Sequence, residues 1–211
     1  MKRFWAYLLL FIVFVSPLAA DKKFEKKYNL KPIVDEKNGI TWYKHKDGTQ
    51  GAVKIYPYIG KRMETGQTFL RMVIIFYGNE PFFVNEYIFT VDDEEFILKP
   101  RKTPEIVEMR ESRSRRNTAD TGSESKGIVE IYDVAATPEE YAMMEKISQA
   151  KTVKLRYNAV KGYRKVAVHK ETKKAMKDVL DAYKELTRTQ DQIKDLMDRF
   201  PSRSRGNEIR I

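Results

Sequence analysis

The sequence predicts a β-rich α+β domain, an antiparallel β-sandwich or meander with one short capped helix and a long C-terminal helix. Three observations carry this expectation. Between residues 40 and 100, short runs of β-branched and aromatic residues are divided by turn residues, the pattern of closely spaced antiparallel strands. Thr137-Pro138-Glu139-Glu140 combines a capping threonine, a proline at the first helical position and a glutamate at the third; together they satisfy free amides and complement the helix dipole. From Glu171 onward, Met176, Val179, Leu180, Tyr183 and Leu186 recur every three or four residues, as the buried stripe of a long helix requires.

Residues 1–20 are expected to be a signal peptide. Lys2 and Arg3 precede a run from Phe4 to Val15 that is apolar apart from Tyr7, and Leu18-Ala19-Ala20 offers a small-residue cleavage site before Asp21. A membrane anchor would need about 20 apolar residues, and Pro17 breaks this shorter run. Residues 21–39, charged at first and ending in Asn38-Gly39, are expected to be an N-terminal tether. A β-rich globular domain is expected over 40–188, with strands at Thr41–Lys46, Ala52–Ile59, Thr68–Tyr77, Phe82–Val91 and Glu95–Lys99. Asp47-Gly48, Gly60, Gly78-Asn79, Asp92-Asp93 and Pro100 punctuate these runs. Both registers of Phe82–Val91 carry apolar side chains, which places that strand centrally. Residues 110–127, with Arg110, Arg113, Arg115 and Arg116, form a mobile basic loop between strands at Ile106-Val107 and Ile128–Val134. Two strands, Thr152–Tyr157 and Tyr163–Val168, follow the capped helix. The remainder, 189–211, is expected to be a helical extension that Pro201 stops, followed by a disordered basic tail.

Composition narrows the chemistry. The 211 residues include 40 Lys and Arg against 30 Asp and Glu, a formal charge of +10. Loss of residues 1–20 removes Lys2 and Arg3 and no acid, leaving a clearly basic product. There is no cysteine, so a thiol nucleophile, disulfide exchange, Cys-ligated zinc, an iron–sulfur cluster and an acylated lipoprotein cysteine are all excluded. Packing must stabilise the exported product without disulfides.

The order of elements resembles a group of bacterial exported proteins built on a small β-rich sandwich. Apolar Phe69–Phe76 precedes Phe82-Phe83-Val84; Glu95-Phe96, Ile128-Val129-Glu130-Ile131-Tyr132-Asp133, Lys146-Ile147-Ser148-Gln149-Ala150 and Val153-Lys154-Leu155-Arg156-Tyr157 follow, then a terminal helix. The resemblance covers roughly residues 40–188. It implies the fold and brings no assigned activity and no catalytic residues.

No catalytic residue, cofactor site or metal site is expected. His45 and His169 lie among lysines, which oppose both imidazole protonation and metal binding, so both are expected as ordinary surface residues. Asp92-Asp93-Glu94-Glu95 reads as a solvated turn. No glycine-rich phosphate loop or nucleophile elbow is present. The segment from Lys151 to Lys174 holds nine cations and the single acid Glu171. A face with Lys154, Arg156 and Arg164 on the hairpin and Lys170, Lys173 and Lys174 at the helix start is the candidate site for an anionic ligand. Cations at a helix N-terminus oppose the dipole, which hints at a use other than stability. Ile193, Met197 and Phe200 extend the terminal stripe beyond polar Gln190 and are the candidate seam for a partner helix or self-association.

The expected function is therefore that of a non-enzymatic exported protein, periplasmic or secreted. It would act as a binding module for an envelope protein or an anionic glycan or lipid head group, with no integral membrane segment after signal cleavage. The alternative is an extracellular hydrolase acting on an envelope polymer through a site that only the fold assembles.

Overall fold

The computed structural model describes residues 17–48, 54–110 and 126–199. Two antiparallel sheets form a sandwich-like core. Sheet A holds β1 (Leu30–Asp35), β2 (Ile40–His45), β3 (Lys54–Arg62), β4 (Thr68–Gly78), β8 (Lys126–Ala135) and β7 (Glu105–Arg110), in that spatial order. Sheet B is ordered β10 (Gly162–Ala167), β9 (Val153–Ala159), β5 (Val84–Val91) and β6 (Glu94–Leu98). Three helices complete the chain: α1 (Pro17–Lys27), α2 (Pro138–Gln149) and α3 (Lys170–Arg199). The expected fold class is the observed one.

Alternation along β4 explains how the core divides. Leu70, Met72, Ile74 and Phe76 face the main core with both sheets and helices α2 and α3, while Val73 and Ile75 join Tyr58 and Val129 in a smaller cluster on the other face. Aromatic residues join the sheets: Phe76 meets Tyr157 edge-on at 5.3 Å, and Tyr87 lies 5.6 Å from Tyr132. The Tyr157 hydroxyl donates to the Ile75 carbonyl at 3.0 Å across the same gap. Burial holds the Tyr87 and Tyr157 phenols well above their ordinary titration range.

The capping box of α2 is formed as the sequence requires. Glu140 N donates to Thr137 Oγ1 and the Glu140 carboxylate accepts from Thr137 N at 2.8 Å. The same buried carboxylate receives Arg101 Nη2 at 2.7 Å, which also reaches the Ala135 carbonyl at 2.9 Å. One ion pair thus joins the β6–β7 connection to the start of α2.

Several expectations are corrected. Residues 21–39 are more than a tether: part of α1 and all of β1 fall within them, and β1 pairs with β2 from Leu30 opposite His45 to Asp35 opposite Ile40. Pro32 hid this strand, and its place at the edge of the sheet explains why a proline is tolerated. The simple meander holds only from β1 to β4. Strand β4 then pairs with β8, and the chain crosses to sheet B at β5, which lies between β9 and β6 as its two apolar faces suggested. Gly60 does not end β3, which runs on to Arg62. A side chain at Gly60 would lie 2.3 Å from the Phe69 ring and 2.7 Å from Trp42, so the glycine is where two aromatic rings settle on the strand. Helix α3 continues through residue 189 without a break. Gln190 bonds the Gly66 carbonyl and accepts from Thr68 Oγ1 at 3.0 Å, fastening the helix to the β3–β4 turn.

Candidate anion-binding surface

The β9–β10 hairpin sets the candidate surface. Val160 and Lys161 form its tip, Ala159 lies opposite Gly162, and Gly162 takes φ 131°, a conformation L side chains rarely adopt. Counting back from that closure puts Tyr163 opposite Asn158, Arg164 opposite Tyr157, Lys165 opposite Arg156 and Ala167 opposite Lys154. Directly opposed residues of antiparallel strands share a face. Val153, Leu155 and Tyr157 are buried in the core, so Lys154, Arg156 and Lys165 share the outer face of sheet B.

Arg164 therefore does not join Lys154 and Arg156. It stands with Tyr157 on the side facing sheet A, its guanidinium 5.8 Å from the Phe82 ring centre. Lys165 takes its place on the outer face. Tyr163, 59% exposed, lies beside the two cations there, 6.0 Å from the Arg156 guanidinium and 5.3 Å from Lys165 Nζ. Both residues were missed because the five-residue interval 158–162 hid the two-residue tip; recognising that tip gives the pairing by counting.

Arg156 and Lys165 are like charges directly across a strand pair, an arrangement that destabilises a sheet. Arg156 Nε is also the one buried side-chain polar atom among the described residues that lacks a hydrogen-bond partner, where buried polar groups are ordinarily satisfied. The register offers little compensation. Glu86, opposite Asn158, accepts from that amide at 2.7 Å, and Glu95 lies across Thr90 from Lys154. An anion laid over Arg156 and Lys165 would offset the repulsion.

The helix-start lysines divide. Lys173 Nζ donates to the Ala150 carbonyl at 2.9 Å and the Lys151 carbonyl at 2.8 Å, so it neutralises the carbonyl end of α2 and is committed to structure. Lys170 and Lys174 are exposed, with Lys170 Nζ 3.9 Å from Glu171. Of the seam residues, Ile193 and Met197 fall within α3, but their side chains lie outside the described ones, as does Phe200 altogether. The basic loop is likewise outside the described residues from 111 to 125.

Other candidate groups have structural partners. His45 is 8% exposed rather than on the surface; Nε2 lies 3.3 Å from Asp178 on α3, and Nδ1 accepts from Asp47 N at 3.1 Å. His169 is exposed as expected. Asp92 does more than form a solvated turn. Its carboxylate accepts from Thr152 N at 2.8 Å and Lys151 N at 3.4 Å, which holds its titration below the usual carboxylate range. Glu130, 1% exposed, receives Phe82 N, Phe83 N at 2.7 Å and Val84 N at 2.9 Å, pinning the crossover from sheet A to sheet B. Among the described residues no group of three or more His, Asp or Glu could hold a metal ion, and no helix is long and apolar enough to cross a membrane. Comparison with family models, curated proteins and solved structures gave no match, so the functional reading rests on this geometry.

Proposed function

We propose that the protein is an exported, non-enzymatic binding module whose sheet B outer face holds an anionic envelope polymer. The observation that carries this reading is the cross-strand pair Arg156–Lys165, two cations opposed without an acid between them, with an arginine donor left unsatisfied. Lys154 extends the face along β9. Tyr163 supplies a ring against which sugar or acyl groups can lie, and Lys170 and Lys174 add charge where β10 leads into α3. A phosphate or carboxylate would bridge Arg156 and Lys165, the planar guanidinium giving direction and the lysine charge.

The expected export leader is compatible with the packing of the N-terminus. Phe24 meets Tyr43 at 6.1 Å, Lys27 pairs with Glu185, and Tyr28 donates to Glu185 at 2.6 Å. All three residues follow Ala20, so a chain beginning at Asp21 keeps these contacts.

The test is retention of the purified protein on inorganic polyphosphate across a salt series. Binding at low ionic strength that falls steeply with salt is expected. Arg156→Ala should weaken it about tenfold or more, because a hydrogen bond to a charged group contributes about 1.5–3 kcal/mol. No retention at low salt, or retention indifferent to Arg156→Ala, would refute the proposal.

A further inference from the structure

A second surface lies on the opposite sheet. Strand β7 is the last strand of sheet A, and among the described residues no strand pairs with its other edge. Natural edge strands are commonly guarded by proline, lysine or a bulge. The described side chains of β7 place Ile106 and Val107, 39% and 37% exposed, between the exposed acids Glu105 and Glu108. Beside the strand is a cavity of about 310 Å³, walled by Phe83, Pro100, Lys102, Thr103, Pro104 and Ile106, with Glu130 also in its lining. Phe83 is unusual twice over: it is 56% exposed and has φ 59°, a costly conformation for a bulky residue. The three backbone amides donated to Glu130 hold it there, with Phe83 in the cavity lining.

We infer that β7 and this cavity bind the C-terminus of a partner polypeptide as an added antiparallel strand. Main-chain hydrogen bonds to a free edge supply affinity in this mode, and pockets for alternate side chains supply selectivity. Ile106 pairs with Glu130 and shares its face, so the peptide residue opposite Ile106 projects to the cavity side. Antiparallel addition directs the peptide's C-terminal end toward Pro104, Thr103 and Lys102. There the connection from β6 in sheet B to β7 in sheet A crosses between the sheets and walls the cavity. A chain that ends suits this groove better than one that continues, and the exposed Lys102 supplies the charge a terminal carboxylate needs. Glu105, one residue from Ile106, belongs to the other face of the strand; exposed Glu108 shares the face of Ile106 but lies further along β7, away from Lys102. The final side chain should be apolar, to match Phe83, Pro100 and Ile106.

The probe is a dye-labelled eight-residue peptide alternating threonine and valine and ending in phenylalanine, followed by fluorescence anisotropy with the purified protein. The free acid should bind at least about tenfold more tightly than the C-terminal amide, since the carboxylate makes a charge-assisted contact. Lys102→Ala should remove that difference without altering the circular dichroism spectrum. Ile106→Lys should abolish binding of either form. Absence of binding by the free acid, equal affinity for acid and amide, or full affinity in Ile106→Lys would overturn the inference. Because polyphosphate retention depends on a different sheet, its success or failure is independent of this result.

Discussion

Lys165→Glu should make the protein more stable and less able to bind. Lys165 sits directly opposite Arg156, and both are on the outer face of sheet B. The substitution replaces a repulsive cross-strand pair by an attractive one. Cross-strand charge pairs contribute roughly 0.2–1 kcal/mol in either direction, so the swing from like to opposite is about 0.5–1.5 kcal/mol, with solvent exposure keeping it toward the low end. For a domain of this size, about 1 kcal/mol raises the melting temperature by roughly 2–4 °C. The assay is thermal unfolding of the wild type and variant at low and high salt, beside polyphosphate retention. The stability gain should shrink as salt screens the pair, and retention should fall sharply. An unchanged or lower melting temperature at low salt together with unchanged retention would show that the pair is neither a strain in the free protein nor a contact for anions.

Three further outcomes follow from the packing. Gly60→Ala forces a methyl group into the Phe69 and Trp42 rings and should lower the urea midpoint by the equivalent of about 1–3 kcal/mol. Glu130→Ala leaves three amides at the sheet crossover without their acceptor; a loss of about 3 kcal/mol or more is expected by the same measurement. Asp92, through the Thr152 amide, and Glu185, through Lys27 and then Tyr28, titrate below the ordinary carboxylate range in the folded protein. Groups depressed in this way stabilise the fold above their unfolded pKa of about 4 and lose that contribution as pH falls through the folded value. The melting temperature should thus decline on acidification below about pH 5, and Asp92→Asn with Glu185→Gln should flatten the decline.

What the sequence disclosed was local. The Thr137 capping box, the turns at Asp47-Gly48 and Gly78-Asn79, and the α3 stripe depend on residues within a few positions of one another, and each lies where its chemistry indicates. Partners distant in the chain carried no such signal. Nothing near β4 announces that β8 rather than β5 lies beside it. His45 looked like a surface residue because Lys44 and Lys46 flank it, yet a strand turns alternate side chains to opposite faces, and Asp178, 133 residues away, is its partner. The cationic face was recognised through Lys154 and Arg156, but its third member depended on a two-residue hairpin tip, and an error of one residue in register exchanged Arg164 for Lys165. Lys173 was separated from ligand binding only by the fold, because the carbonyls it serves belong to the end of another helix.

Amide chemical-shift mapping while inorganic polyphosphate is added at low salt examines the assigned surface residue by residue. Shifts concentrated at Lys154, Arg156, Tyr163 and Lys165, with smaller ones at Lys170 and Lys174, are the predicted result. Shifts confined to Lys22, Lys23, Lys26 and Lys27, or a spectrum that does not change, would contradict it.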